Sequence, residues 1–253
     1  VDYKAFDRLI ELQVTEGSDA IVVCGTTGEA STMSRDERME AIKHVVDRVD
    51  HRIPVIAGTG GNCTAEVIEN CRTAEAIGVD GLLVVTPYYN KTTQEGLVAH
   101  YNTIADNVET PILVYNVPSR TGLNLLPETM VKLAEHPTIV GIKKASGNIA
   151  QIVRLSYMCP DIDIYSGNDD HVIPLLSIGA KGVISTIANV VPKAMHTLCG
   201  LFFDGNLQAA KELQLQLIPL CRAAFCETNP IPIKTMVSLM NICANEFRLP
   251  LVP

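Results

Sequence analysis

Seven short runs of apolar, β-prone residues recur along the chain, and longer amphipathic segments lie between them. The runs are DAIVVCG, IPVIAGTG, DGLLVVTP, TPILVYNV, TIVGIKKAS, IDIYSGND and KGVISTIAN. Short continuous apolar runs are typical of strands that are buried on both faces, and the segments between them have the length of helices. Strands that alternate with helices in this way form a parallel sheet covered by helices. The sequence therefore predicts an α/β fold.

Helix boundary signals support this interpretation. Ser34 stands ahead of RDERMEAIKHVVDRV, and Thr64 stands ahead of AEVIENCRTAEAI, which is followed by Gly78. Serine and threonine are common N-cap residues, and glycine is common just after a helix. The pattern predicts helices that begin at these two caps, and the second is predicted to end at Gly78.

Two architectures fit such a chain, an open doubly wound sheet and a closed (β/α)8 TIM barrel. No GxGxxG fingerprint follows the first strand, and about seven strands favour the barrel. We predict a barrel over residues 1–190, with its first strand expected ahead of Val1. After Asn189 the pattern is helical without strands, which predicts a C-terminal helical appendage over residues 191–253.

Charge and composition exclude several classes of function. The formal net charge of -8 argues against a nucleic-acid partner, because phosphate binding requires a basic face. No apolar run approaches the ~18 residues of a membrane helix. The eight cysteines show no CxxC pair and no metal-type spacing with histidine, which predicts reduced, mostly buried thiols and no metal site. We expect a cytoplasmic protein without a signal peptide, and some N-terminal sequence is expected to precede Val1.

The unusual polar residues lie where the predicted strands end. In a barrel this edge gathers the βα loops and carries the reactive groups. The residues are Thr26, Thr27 and Glu29 in GTTGE, Tyr88 and Tyr89 in TPYYNK, Tyr115 and Arg120 in YNVPSRTG, Lys143 in GIKKASG, and Gly167 to Asp169 in YSGND.

Lys143 is the most informative of these residues. In a strand, Lys143 and Lys144 must face opposite sides of the sheet, so one of them should point into the barrel. An amine in an apolar pocket is favoured in its neutral form, which can attack a carbonyl group and form an imine. A lysine that only pairs with a carboxylate fits the strand pattern equally well.

The other candidates are weaker when each is taken alone. Tyr115 could transfer protons beside Lys143 across the barrel top, or it could simply cap the core. GTTGE offers hydroxyl and backbone donors to a carboxylate, but glycine and threonine are also common in ordinary turns. Arg120, in a Pro-Ser-Arg loop, could clamp a second carboxylate or have no specific role. The glycine-rich residues 58–62 lack the lysine and serine of a phosphate loop.

Together and in this order, the motifs from GTTGE to NPIPIK resemble the dihydrodipicolinate synthase and N-acetylneuraminate lyase superfamily. The paired threonines, the paired tyrosines and the arginine of YNVPSRTG resemble the synthase branch. The resemblance implies that Lys143 forms the imine. It implies a proton relay of Tyr115, Thr26 and Tyr89, with Tyr89 contributed across a tight dimer interface.

The resemblance also implies the roles of the binding residues. Thr27 would hold the carboxylate of pyruvate, and Arg120 the carboxylate of an aldehyde substrate. Gly167 and Ile184 would line the pyruvate pocket through backbone groups. No role is assigned to NPIPIK.

The implied reaction is a class I, Schiff-base aldol condensation of pyruvate with L-aspartate-4-semialdehyde. It gives 4-hydroxy-tetrahydrodipicolinate in lysine and diaminopimelate biosynthesis, without a cofactor or metal, and the implied assembly is a homotetramer of two tight dimers. The alternatives are another pyruvate aldolase, acting on N-acetylneuraminate or 2-keto-3-deoxygluconate, and a non-catalytic pyruvate-binding barrel.

Two departures from the family pattern stand out. The family usually has glutamate where this chain has Lys144. Relative to the family pattern, both ends are expected to be short and to lack the first strand and the final helix.

A lysine-binding cleft at the dimer interface is a further implication. The matching positions are Ala30, Ser31, Arg35, Arg38, Asn62, Glu66 and Tyr88. Sensitive bacterial members commonly carry histidines in place of Arg35 and Arg38, whose permanent charges would repel the ammonium of lysine. We therefore predict weak or absent feedback inhibition by lysine.

Overall fold

The structure is a computed structural model that describes residues 1–253, and strands alternate with helices along most of its length. The strands are β1 (Ile21–Val23), β2 (Val55–Gly58), β3 (Gly81–Val85), β4 (Ile112–Asn116), β5 (Ile139–Lys144), β6 (Asp163–Ser166) and β7 (Gly182–Val183). The helices are α1 (Tyr3–Thr15), α2 (Arg35–Val49), α3 (Thr64–Ile77), α4 (Gln94–Ala105), α5 (Pro118–Thr121), α6 (Pro127–Leu133), α7 (Ile149–Met158), α8 (Val172–Leu176), α9 (Pro192–Phe203), α10 (Leu207–Ala224) and α11 (Ile231–Leu239). Each of the seven predicted runs contains a strand.

The chain divides into two compact units. The terminal unit consists of Val1–Val55 and Ser185–Pro253, and the central unit consists of Ile56–Ile184. After β7 the chain contains helices and no strand, as the sequence predicts. The domain boundary at residues 190 and 191 stays a prediction.

In the central unit, β2 to β7 pair in sequence order, and every pair is parallel. Consecutive parallel strands joined by helices confirm the predicted α/β fold. Val84, Val114 and Ile142 are completely buried on one face of the sheet. The presence of an eighth strand and the closure of the barrel stay predictions.

A register shift in β5 determines which of its side chains share a face with β4. Ile112 of β4 is the partner of Ile139, but the next residue, Leu113, is the partner of Gly141. Val140 is therefore the extra residue of a β-bulge, and it is partly exposed. A bulge changes the alternation of the residues that follow it.

Two of the three helix boundaries predicted from the sequence are confirmed. Ser34 caps α2 in a complete capping box with Glu37, and Gly78 ends α3 with a left-handed φ of 97°. The predicted cap at Thr64 is wrong, because the N-cap is Cys63 and Thr64 is already helical. The Thr64 hydroxyl instead lies 2.9 Å from Nδ1 of His100, so a tertiary contact has taken the place of the capping bond.

The predicted state of the cysteines is confirmed in part. All eight are free, but only Cys24, Cys71, Cys159 and Cys221 are buried. No group of three or more histidine, cysteine, aspartate or glutamate side chains is arranged to hold a metal ion. None of the helices combines the length and the apolar character needed to cross a membrane.

Candidate active site

Five residues of the central unit form a row across adjacent strands, which we call the Lys143 row. Each residue is the Cα partner of the next, and in order they are Val85, Tyr115, Lys143, Tyr165 and Gly182. Partners in neighbouring strands direct their side chains to the same face of the sheet. Lys143 therefore lies between two tyrosines.

The Lys143 side chain contacts Tyr115, with its Nζ atom 4.4 Å from the centroid of the phenol ring. The two residues are partners on adjacent strands, so they meet as the sequence predicts, side by side on β4 and β5. This distance is within the range of a cation–π contact when the amine is protonated. It also places a phenol beside the amine, where it could exchange protons with a reacting group.

Burial changes the acidity of Lys143. Part of the side chain remains accessible, but its ammonium group is desolvated by the surrounding protein. Its pKa is lowered from 10.5 to about 8; desolvation is the largest cause, and the charge of Arg120 is a smaller cause in the same direction. The carboxylate of Asp169, a buried residue, opposes both effects by raising the pKa. The amine is thus available in its neutral form near neutral pH.

Gly167 packs against the reactive lysine. A Cβ atom at this position would lie 3.1 Å from Cε of Lys143 and 2.7 Å from Cβ of Ala145. Its N–H donates to the carbonyl of Lys144 at 2.7 Å, and the N–H of Ile184 donates to the carbonyl of Ser166 at 2.8 Å. Backbone contacts from Gly167 and Ile184 to a ligand would therefore come from their carbonyl groups.

Lys144 faces the opposite side of β5, as the sequence predicts. Its side chain is only 1% exposed, and its Nζ donates to Oε1 of Gln151 on α7 at 2.9 Å. Desolvation lowers its pKa to about 8. Lys144 thus connects the strand to a helix on the face opposite to the candidate active site.

Arg120 lies in the one-turn helix α5 rather than in an open loop. Val117 precedes the helix, Pro118 occupies its first position, and Gly122 ends it with a φ of 64°. The side chain is exposed, and its charge acts on Lys143. This placement is consistent with a cation that meets an anionic substrate at the edge of the site.

The paired tyrosines of TPYYNK lie on the surface of the single chain. Tyr89 is 91% exposed and has a left-handed φ of 67°, and Tyr88 is also exposed. Asn62 donates to the carbonyl of Tyr88 at 3.2 Å, and Asn90 donates to the carbonyl of Asn62 at 2.9 Å. The loops that carry Asn62 and Tyr88 are therefore joined, and a bulky residue with positive φ is uncommon.

The terminal unit contains the other part of the predicted site, the GTTGE turn. Nδ2 of Asn229 donates to Oγ1 of Thr27 at 3.0 Å. Nζ of Lys234 lies 2.5 Å from Oε1 of Glu29, whose φ is 55°. Thr26 accepts the N–H of Glu29 through its carbonyl at 3.2 Å. The NPIPIK segment thus holds the turn at two points.

The remaining positions of the predicted lysine cleft belong to both units. Ala30 and Ser31 lie in a 3₁₀ turn, Arg35 is exposed and Arg38 is partly buried. Glu37, on the same helix as the two arginines, forms an ion pair with Arg248 at 2.7 Å.

Two residues of these sites were not found from the sequence. Tyr165 is half-buried, and its ring lies 3.8 Å from the position that a Cβ atom of Gly182 would occupy. The available signal was its place two residues before Gly167, but only the register places it beside Lys143. Asn229 is the first residue of the NPIPIK motif, but its contact with Thr27 spans 202 residues of sequence.

The chain is similar to known proteins over its whole length. A family model described as the dihydrodipicolinate synthetase family matches residues 1–253. The 4-hydroxy-tetrahydrodipicolinate synthase of Caldicellulosiruptor saccharolyticus is 53% identical over 251 residues, which are 99% of this chain and 85% of that protein. The enzyme of the same name from Clostridium tetani is 53% identical over 253 residues, which are 99% of this chain and 86% of that protein.

Solved structures show the same backbone course. Dihydrodipicolinate synthase from Aquifex aeolicus has a TM-score of 0.98 at 43% identity, covering 100% of this chain and 87% of that one. The chloride-inhibited enzyme from Acinetobacter baumannii, solved with pyruvate, has a TM-score of 0.98 at 45% identity and the same coverage. The Cyanidioschyzon merolae enzyme, solved with lysine bound, has a TM-score of 0.96 at 40% identity, covering 99% of this chain and 86% of that one.

Proposed function

We infer the activity from one premise, namely that this chain belongs to the dihydrodipicolinate synthetase family. It is a lyase that condenses pyruvate with L-aspartate-4-semialdehyde to give 4-hydroxy-tetrahydrodipicolinate. The observation that carries this function is the placement of Lys143, whose amine has a pKa of about 8 and lies 4.4 Å from the Tyr115 ring centroid.

The chemistry follows from a neutral amine in this position. Nζ of Lys143 attacks the keto carbon of pyruvate, and loss of water leaves a protonated imine. This cation accepts the electron pair released when a methyl proton leaves, which gives an enamine. The enamine carbon adds to the aldehyde, and the amino group of the adduct then displaces Lys143 from the imine carbon. The lysine is regenerated as a free amine.

The other roles are carried over from the family. Tyr115, Thr26 and Tyr89 relay protons, and the contact between Tyr115 and Lys143 supports the first of these assignments. Thr27 binds the carboxylate of pyruvate, and Arg120 binds that of the semialdehyde.

The proposed assembly is a homotetramer of two tight dimers in the cytoplasm. A phenol that serves a neighbouring subunit's site must be accessible on its own chain, and Tyr89 is 91% exposed. A second surface supports further association, because Ile149, Val153 and Tyr157 form an exposed stripe at helical spacing on α7.

The proposed lysine cleft at the dimer interface binds its ligand weakly. The Asn62 amide already donates to the Tyr88 carbonyl. Arg35 and Arg38 add two positive charges to the proposed cleft, which oppose the ammonium group of lysine. Half-maximal inhibition of the condensation by submillimolar lysine would show that the arginines do not oppose binding.

Borohydride trapping tests the proposed function directly. We expect reduction in the presence of pyruvate to add one reduced pyruvyl group to Lys143, seen as a mass increase on the peptide that contains it. Lys143→Ala should abolish the adduct, whereas Lys144→Met keeps the reactive amine and should retain it. An adduct that persists in Lys143→Ala would contradict the mechanism.

The aldehyde substrate requires a separate measurement. Purified enzyme with pyruvate should turn over L-aspartate-4-semialdehyde, in an assay that follows formation of the cyclic product. N-acetylmannosamine and glyceraldehyde should give no comparable rate. Turnover with N-acetylmannosamine alone would assign the chain to the sugar-acid branch instead.

A further inference from the structure

We propose that Asn229 is a positioning residue that directs the hydroxyl proton of Thr27 toward a bound carboxylate. The inference rests on the proposed function, in which Thr27 binds pyruvate. It concerns a residue of the NPIPIK segment, to which neither the sequence motifs nor the resemblance assigns a role.

The geometry favours one direction of hydrogen bonding. Nδ2 of Asn229 donates to Oγ1 of Thr27 at 3.0 Å, whereas the distance from Oγ1 to Oδ1 of Asn229 is a long 3.4 Å. A hydroxyl has one proton and accepts through its lone pairs. Because the amide donor occupies a lone pair of Oγ1, the hydroxyl proton is left for a stronger acceptor such as a carboxylate.

Burial holds the amide in place. Asn229 is only 5% exposed, so its side chain has little freedom to turn away from Thr27. The neighbouring ion pair between Lys234 and Glu29 holds the other end of the turn at 2.5 Å, and both side chains are largely covered. A hydroxyl whose direction is set before binding costs less ordering when the ligand arrives.

Position 229 requires an amide side chain, because an amide donates a hydrogen bond to Thr27 without adding charge. Aspartate has nearly the same shape as asparagine, but when it is ionised it only accepts hydrogen bonds. In Asn229→Asp the carboxylate would accept the hydrogen bond of the Thr27 hydroxyl. It would also add a negative charge beside the proposed anion site. Asn229→Ala would remove the donor and leave the hydroxyl without a set direction.

The test is the pyruvate concentration that gives half-maximal borohydride trapping on Lys143. We expect Asn229→Ala to raise this concentration by roughly tenfold, the loss expected for one hydrogen bond to a charged group. Asn229→Asp should raise it further. Acetaldehyde has a carbonyl but no carboxylate, and its half-maximal concentration should not change in either variant.

A double-mutant cycle identifies the path of the effect. Thr27→Val keeps the shape of threonine and removes the hydroxyl, so Asn229→Ala should have little further effect in that background. Thr235→Val is the matched control, because it removes a hydroxyl just after the NPIPIK segment that lies 2.9 Å from the Ile231 carbonyl and 3.1 Å from Oδ1 of Asn245. It should leave the pyruvate dependence unchanged.

Several results would overturn the inference. The concentration of pyruvate for half-maximal trapping could be unchanged in Asn229→Ala, or that of acetaldehyde could shift equally. Thr235→Val could cause as large a shift as Asn229→Ala, or the effects of Thr27→Val and Asn229→Ala could multiply independently. If wild-type protein forms no adduct on Lys143, the proposed function itself fails, and this inference fails with it.

Discussion

At the scale of single residues, the reactivity of Lys143 depends on its burial and on two charged residues, Asp169 and Arg120. Desolvation and Arg120 favour the neutral amine, and Asp169 favours the protonated form. With a pKa of about 8, roughly one amine in ten is neutral at pH 7, far more than for an ordinary lysine. These effects lead to a prediction about pH.

We predict that the rate of imine formation with pyruvate rises with pH and levels off above about pH 8, because only the neutral amine attacks. Asp169→Asn removes the charge that favours protonation, so the profile should move to lower pH. Arg120→Met should move it to higher pH. The measurement is the initial rate of borohydride-trapped adduct between pH 6 and 10. A wild-type rate that still rises steeply at pH 10 would rule out the lowered pKa.

Gly167 leads to a second prediction at this scale. In Gly167→Ala the added methyl would lie 2.7 Å from Cβ of Ala145, which must move, and 3.1 Å from Cε of Lys143, which must give by a few tenths of an ångström. We expect imine formation to slow by roughly tenfold, less than the about hundredfold cost of a misplacement of about 1 Å. Gly200→Ala is the control, because nothing lies within 4 Å of the added atom. Equal trapping rates in the two variants would show that the close approach at Gly167 has no catalytic importance.

At the scale of elements, β5 connects the candidate site to the helices through Lys144. A buried lysine whose pKa is lower in the folded state than in the unfolded state destabilises the fold. The full penalty applies at pH values below the folded-state pKa. The penalty disappears as the pH rises from about 8 toward the ordinary value of 10.5. A neutral side chain of similar length would avoid it.

We therefore predict that Lys144→Met stabilises the protein by roughly 2 kcal/mol at pH 6.5, which is the pKa penalty reduced by the lost bond to Gln151. The gain should shrink at pH 9.5. Denaturant unfolding at both pH values measures it, and Lys211→Met, at an exposed position of α10, is the control. A variant that is no more stable than the wild type at pH 6.5 would contradict the proposed cost of burial.

At the scale of the whole molecule, the exposure of Tyr89 predicts a shared active site. Tyr89→Phe should reduce turnover by about 100-fold with little effect on folding, because it removes only the hydroxyl. Lys143→Ala should be inactive. Heterodimers of these two variants contain one complete site, so an equal mixture that has reassembled should recover about a quarter of the wild-type activity. A mixture that exchanges subunits but stays inactive would contradict the shared site.

Much of the fold was predictable because local chemistry determines it. Apolar runs of strand length, the Ser34 cap and the glycine after α3 act through neighbours in sequence, and the structure confirms them. Thr64 shows the limit of such signals, because a partner 36 residues away, His100, takes its hydroxyl. The need for glycine at position 60 also comes from a distant segment, because a Cβ atom there would lie 2.4 Å from the backbone nitrogen of Val85 on β3.

The sequence by itself determined that Lys143 and Lys144 face opposite sides of a strand, because side chains alternate along β-structure. It did not determine which of them lies beside Tyr115. That depends on the bulge at Val140, without which Ile142 would be the partner of Tyr115. The choice is made by pairing between strands 28 residues apart in sequence. The placement of Tyr165 beside Lys143 and the bond from Asn229 to Thr27 also depend on contacts between segments that are separate in sequence. Such contacts form only when distant segments pack together, and no local pattern of residues specifies them.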